Sequence, residues 1–177
     1  MELACRLITF KHLSQLRNLA SLYMSEKVPY KGALVLEKAI KDGAVEGNKR
    51  NFEMLSQAWR LAAQIPESIE ALGEAARLSE DGKNYLKKAY LHFDSAQWAE
   101  TEKSIFSSLD KGLDEEFEGE AWLLLGMTRF NMRQFDKGIE ACEKAKTFSK
   151  SAQLAKQWIS YISTEKDKYN MLKAAAM

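Results

Sequence analysis

Few residues of this chain could carry chemistry. His12 and His92 could act as general bases or metal ligands, and Cys5 and Cys142 as nucleophiles or ligands. Their placement argues against each role. The cysteines stand 137 positions apart, so they make neither a disulfide framework nor a metal set. Nothing basic stands evidently beside Cys5 to activate it. The chain contains no Gly-rich phosphate loop, no HExxH and no GxSxG. An acidic run, Asp114, Glu115, Glu116, Glu118 and Glu120, precedes Trp122. It reads as helix-start charge, which suits the positive end of a helix dipole, in preference to a docking patch for a basic partner. The chain is therefore expected to be non-enzymatic, with no cofactor and no metal ion.

Composition narrows the partners. A length of 177 residues is one domain's worth of chain, and 46% hydrophobic residues can fill a core. The net charge of +1, with signs alternating along the predicted helices, offers no basic face for nucleic acid. No apolar run reaches the ~18 residues of a membrane helix, so a membrane-spanning segment is not expected. The opening stretch MELACRLITF carries Glu2 and is too short for a signal peptide. Two cysteines do not decide the compartment.

The elements that position these residues recur. Units begin near Leu13, Lys49, Gly82 and Gly119, at intervals of 36, 33 and 37. One column of small residues is Ala20, Ser56, Ala89 and Gly126. A second is Gly32, Ser68, Thr101 and Gly138, and a third is Ala39, Ala75, Ser108 and Ala145. Small residues at these points let two antiparallel helices approach, while Leu16, Phe52, Tyr85 and Trp122 fill the space between hairpins. His92 falls in the column of Tyr23 and Trp59, and Cys142 in that of Leu36, Leu72 and Ile105, so both read as packing residues. Pro29 and Pro66 fall where second helices should start, a position that tolerates proline. The segments GAVEGN (43–48) and GLDEEFE (112–118) read as loops. With Trp122, Leu125, Gly126, Phe135, Gly138 and Ala145, the last unit fits the tetratricopeptide repeat (TPR) without a gap. The chain thus resembles the TPR family. The expected fold is an all-α, right-handed superhelical solenoid: units 13–48, 49–81, 82–118 and 119–150, then a capping helix at 151–167 with Leu154, Trp158, Ile159 and Ile162 on one face. A frayed tail is expected at 168–177, and a helix at 1–12 as the remnant of a preceding repeat.

The TPR resemblance implies a ligand groove lined by fixed positions of each unit. Carried over, these are Arg17, Ser21 and Met24, then Arg50, Glu53, Gln57 and Arg60. They continue as Lys83, Leu86, Tyr90, Phe93 and Asp94, then Leu123, Met127, Phe130 and Asn131. One half of this groove is polar and basic, the other apolar and aromatic. The residues expected to bind a protein or peptide are Arg17, Arg50, Gln57, Arg60, Lys83, Tyr90, Phe93, Phe130 and Asn131. The competing expectation for Leu123 and Met127 is packing against the closing helix. Family members that clamp acidic chaperone tails use Lys and Asn at places held here by Arg17, Ser21, Glu53 and Gln57, so that clamp is not expected.

Five stretches resemble one subgroup more closely: GALVLEKAIKDG, NKRNFEMLSQAW, ALGEAARLSEDGKNYLKKAYLHFDSAQW, EAWLLLGMTRF and LAKQWISYISTEK. They are similar to the C-terminal TPR region of periplasmic proteins that accompany TonB energy-transduction systems in Gram-negative bacteria. This resemblance implies a periplasmic scaffold helping a TonB–ExbB–ExbD complex in iron uptake. It also implies a longer protein, with a signal peptide and further repeats before Met1. Lys88 and Arg129 depart from the pattern, which wants apolar and aromatic residues there. The alternatives are a general TPR adaptor in a secretion, pilus or cell-wall assembly, and a non-catalytic region of a larger enzyme. Homodimerisation through the aromatic groove or the open N-terminal end is a further reading.

Overall fold

In the computed structural model, residues 15–175 are described, and among them are nine helices and no strand. The helix expected at 1–12, with Cys5 and His12, lies outside the described residues. The chain divides into two compact units, one ending at Ser79 and the other beginning at Glu80.

The first unit holds α1 (15–25), α2 (Pro29–Lys41), α3 (Lys49–Leu61) and α4 (Ile65–Leu78). Its core joins Ala20, Ala33, Leu36, Leu55, Ala58, Trp59 and Ala71. Small residues set the helix approach. A β-carbon on Gly32 would lie 2.8 Å from the Ala20 carbonyl oxygen. In the next hairpin, the buried Ser68 hydroxyl donates to the Ser56 carbonyl at 2.9 Å, which satisfies it inside the core. The 43–48 loop leads into α3, where Asn48 accepts the Asn51 backbone N–H as an N-cap. Pro29 and Pro66 stand in the first turns of α2 and α4.

The second unit holds α5 (Lys83–Asp94), α6 (Trp98–Lys111), α7 (Glu115–Asn131), α8 (Phe135–Ala145) and α9 (Ala152–Ala175). Two apolar clusters run through it. One gathers Leu86, Ala89, Ile105, Leu124 and Leu125. The other gathers Leu123, Cys142, Ala145, Ala155 and Ile162. Trp122 touches both. A side chain on Gly126 would strike the Cys142 sulfur, so α7 and α8 meet at van der Waals distance only because no side chain is there.

Each hairpin turns through one residue in left-handed backbone: Lys27, Ala63, Ala96 and Arg133, with φ of 60°, 57°, 54° and 58°. In every case the next residue's N–H reaches back to the carbonyl of the bulky column. Val28 donates to Tyr23, Gln64 to Trp59, Gln97 to His92, and Gln134 to Arg129, at 2.8–2.9 Å. This is a Schellman stop, in which the left-handed residue lets two end carbonyls of the first helix find donors. None of the four is glycine.

Two sequence expectations are corrected. The 112–118 segment is not wholly a loop, because α7 starts at Glu115. Its acidic first turn matches the helix dipole, and Lys150 pairs with Glu116. The closing helix also does not end at 167 with a frayed tail, since α9 runs on to Ala175. That stretch has neither Pro nor Gly to stop it, and Tyr169 anchors it by packing its ring at a tilt against Phe135, centroids 5.6 Å apart, and beneath Arg133 at 5.4 Å. Among the described residues no helix is long and apolar enough to cross a membrane.

Candidate functional site

The groove positions fall on the first helix of each hairpin, and each unit presents its own set. In the first unit, α3 exposes Arg50, Gln57 and Arg60 on one face, while Phe52 and Leu55 turn to the opposite side. Arg17 on α1 is half-buried and Ser21 exposed; Met24 packs on the core. Among the described residues, none of the three arginines has a carboxylate partner, so this face offers free cations.

The second unit has a different character. Lys83 is engaged within the protein: its ammonium pairs with Asp114 at 2.6 Å and lies 4.9 Å over the Phe117 ring. The hydrogen bond to Asp114 raises its pKa. It ties the start of α5 to the start of α7 and is not a free groove cation. Asn131 is exposed, but its amide donates to the Met127 carbonyl of its own helix at 2.9 Å.

Tyr90 is the most open aromatic group on α5, at 38% exposure. Partial burial, then the nearby Glu120 carboxylate of α7, push its phenol up to about 12. Phe93, one turn on, is half-buried and stands edge-on to Trp98 at 5.3 Å. Leu123 is buried, and Met127 and Phe130 pack with it against Trp158, Ile159 and Ile162 of α9. The closing helix therefore covers much of the fourth repeat's share of the groove. It replaces that share with rings of its own. Phe130 lies 6.0 Å from Trp158 and 5.2 Å from Tyr161, and an open apolar recess of about 330 Å³ lies along Leu154, Gln157, Trp158 and Tyr161. Sequence reasoning placed Trp158 on the packing face of α9 but did not assign Tyr161, because no repeat column reaches beyond the fourth unit.

Of the four residues that could have carried chemistry, the two described, His92 and Cys142, are built into the core. His92 is buried, with Nδ1 2.6 Å from the Gln97 side-chain oxygen. Cys142 is fully buried, and burial followed by the Glu143 charge pushes its thiol up to about 11, which suppresses the thiolate. No group of three or more His, Cys, Asp or Glu among the described residues could hold a metal ion. Among the described residues, neither Cys142 nor His92 is paired with a second catalytic group.

No family model and no curated protein sequence matches this chain. Solved structures do. One is residues 41 to the end of MamA from Desulfovibrio magneticus RS-1, with a TM-score of 0.69 at 14% identity over 90% of this chain and 88% of that one. Another is Pseudomonas aeruginosa PilF, with a TM-score of 0.64 at 11% identity over 91% and 72%. A third is a Podosopora anserina kinesin-light-chain structure of nearly identical TPR-like repeats, with a TM-score of 0.63 at 13% identity over 92% and 90%.

Proposed function

From a TPR-type, all-α fold closed by a C-terminal helix, we propose a non-enzymatic protein–protein interaction scaffold that works in the periplasm with a TonB–ExbB–ExbD system. Such solenoid repeats stack helices to present extended surfaces, and the kind of partner follows from the side chains that line them. The observation that carries the binding role is a set of exposed aromatic rings on two helices of the second unit. Half-exposed Tyr90 on α5 and exposed Tyr161 beside Trp158 on α9 leave apolar area in water, where partner surfaces commonly bind. Leu123 and Cys142, by contrast, are spent on the core. The TonB assignment rests on the sequence stretches that resemble the TonB-associated subgroup, including LSEDG (78–82) and the QWISYI segment of α9.

Affinity purification tests this reading. The tagged full-length protein, isolated from gently solubilised Gram-negative envelopes, should retain TonB, ExbB or ExbD, and Tyr90→Ala should lose them while keeping its helix content. Retention of components of a different envelope assembly alone would replace the TonB reading with the general-adaptor one. A cytoplasmic location of the full-length protein would overturn both the compartment and the partner.

A further inference from the structure

On the opposite side of α3 from Arg50, Gln57 and Arg60 lies a groove where α2, α3 and α4 meet, with an open volume of about 180 Å³. Its apolar lining is Ile40, Phe52, Leu55 and Ala71, the last two buried. Four carboxylates edge it: Glu37 from α2, and Glu67, Glu70 and Glu74 from one face of α4. Lys41 is the sole cation of that lining. Glu74 pairs with Arg77, whereas Glu37, Glu67 and Glu70 have no ion pair among the described residues.

One oxygen needs a partner. Glu67 Oε2 is shut off from solvent and accepts no hydrogen bond. The first-turn position of Glu67 in α4 accounts for its charge, through the helix dipole, but not for an oxygen that is desolvated and unpaired. Burying an oxygen without a hydrogen bond is costly, and because Glu67 as a whole is only half-buried, turning its carboxylate into the groove would let a cation there supply the missing donor. The lining combines an excess of negative charge with exposed apolar area, and a complementary segment must carry both opposites.

We propose that this groove is a second docking surface, whose occupant is a basic amphipathic segment of another protein. Lys or Arg side chains of the segment meet Glu37, Glu67 and Glu70, and its apolar side chains lie on Ile40 and Phe52. This is independent of the aromatic surface around Tyr90.

The test uses the full chain and a fluorescein-labelled peptide, KLLKKLLKKLLK, with the analogue ELLEELLEELLE as control. At low salt the Lys peptide should bind at least about tenfold more tightly than the Glu analogue, and added salt should weaken it. Glu67→Gln with Glu70→Gln should remove that preference. Glu37→Gln with Glu70→Gln, both exposed and unpaired, should weaken it without touching the fold, which keeps the test valid if the Glu67 variant unfolds. Lys137→Ala with Lys156→Ala, both exposed in the other unit, should leave it unchanged. Equal binding of the two peptides, or a Lys-peptide affinity indifferent to both Gln pairs, would overturn the proposal. A dimer that these Gln pairs dissolve would overturn it in favour of a second copy of this chain.

Discussion

Arg129 Nε donates to Glu102 Oε1 at 2.9 Å, with the two side chains only 16% and 24% exposed, and this pair joins α7 to α6. Sequence comparison across the repeats wants an aromatic ring at 129, where Tyr23 and Trp59 stand in earlier units. The guanidinium takes the ring's place by lying 5.9 Å over Phe106, and it also donates to the Lys137 carbonyl at 3.4 Å. A pair this sheltered should be worth more than a surface ion pair. A double-mutant cycle of Arg129→Met and Glu102→Gln, followed by urea denaturation, should give a coupling of about 1–2 kcal/mol. A coupling near zero would mean that water screens the pair.

Trp122 and Phe93 rank differently once their neighbours are known. Trp122 bridges both clusters of the second unit, and the Lys144 ammonium sits 4.1 Å from its ring. Trp122→Ala should cost about 3–5 kcal/mol in denaturant unfolding. From sequence alone, Phe93→Ala is a groove-surface change of about 0.5 kcal/mol. Its half-buried ring against Trp98 raises the expected loss to about 2 kcal/mol. A loss as large as that of Trp122 would make Phe93 wholly a core residue.

The four left-handed turn residues offer a gain. Ala96, exposed with φ 54°, pays a steric cost that glycine does not. Ala96→Gly should stabilise the fold by about 0.5 kcal/mol, the relief exceeding the extra freedom glycine brings to the unfolded chain. A destabilisation of similar size would show that the turn is not strained. Calorimetric melting compares the two directly.

Alkaline pH should expose the burial of Tyr90. Its folded pKa, about 12, lies above the ordinary 10, and that of Cys142, about 11, lies above the ordinary 9. Both groups hold their protons more tightly when folded, so their contribution is complete below about pH 9 and is lost between about pH 9 and 12. Subtracting the ultraviolet titration of Tyr90→Phe from that of the natural chain should isolate a phenol with a midpoint near 12. A midpoint near 10 would remove both its partial burial and its closeness to Glu120.

The repeat was legible because its packing demands particular sizes at particular places. Ala20, Gly32, Ser68, Ala75, Gly126 and Ala145 are small because backbone or a neighbouring helix lies against them, and their spacing records the hairpin. The turn residues were not legible. Lys27, Ala63, Ala96 and Arg133 have no chemistry in common, and the Schellman stop that selects them acts through backbone carbonyls. Lys83 read as a groove cation because its partner, Asp114, lies in a segment taken for a loop. The acidic groove escaped notice because its carboxylates come from the second helices, α2 and α4, whereas the family's groove positions are counted on the first helices.

The central claim is that the aromatic surface around Tyr90 meets a partner. Photocrosslinking in living cells tests it most directly, with a photoreactive residue at Tyr90 and, as a control, at exposed Lys137 of α8. Adducts would be identified by mass spectrometry. A discrete adduct from Tyr90, carrying a TonB-complex protein and absent from Lys137, is the expected result. No adduct from Tyr90 while the protein is abundant and folded, or the same adducts from both positions, would contradict the claim.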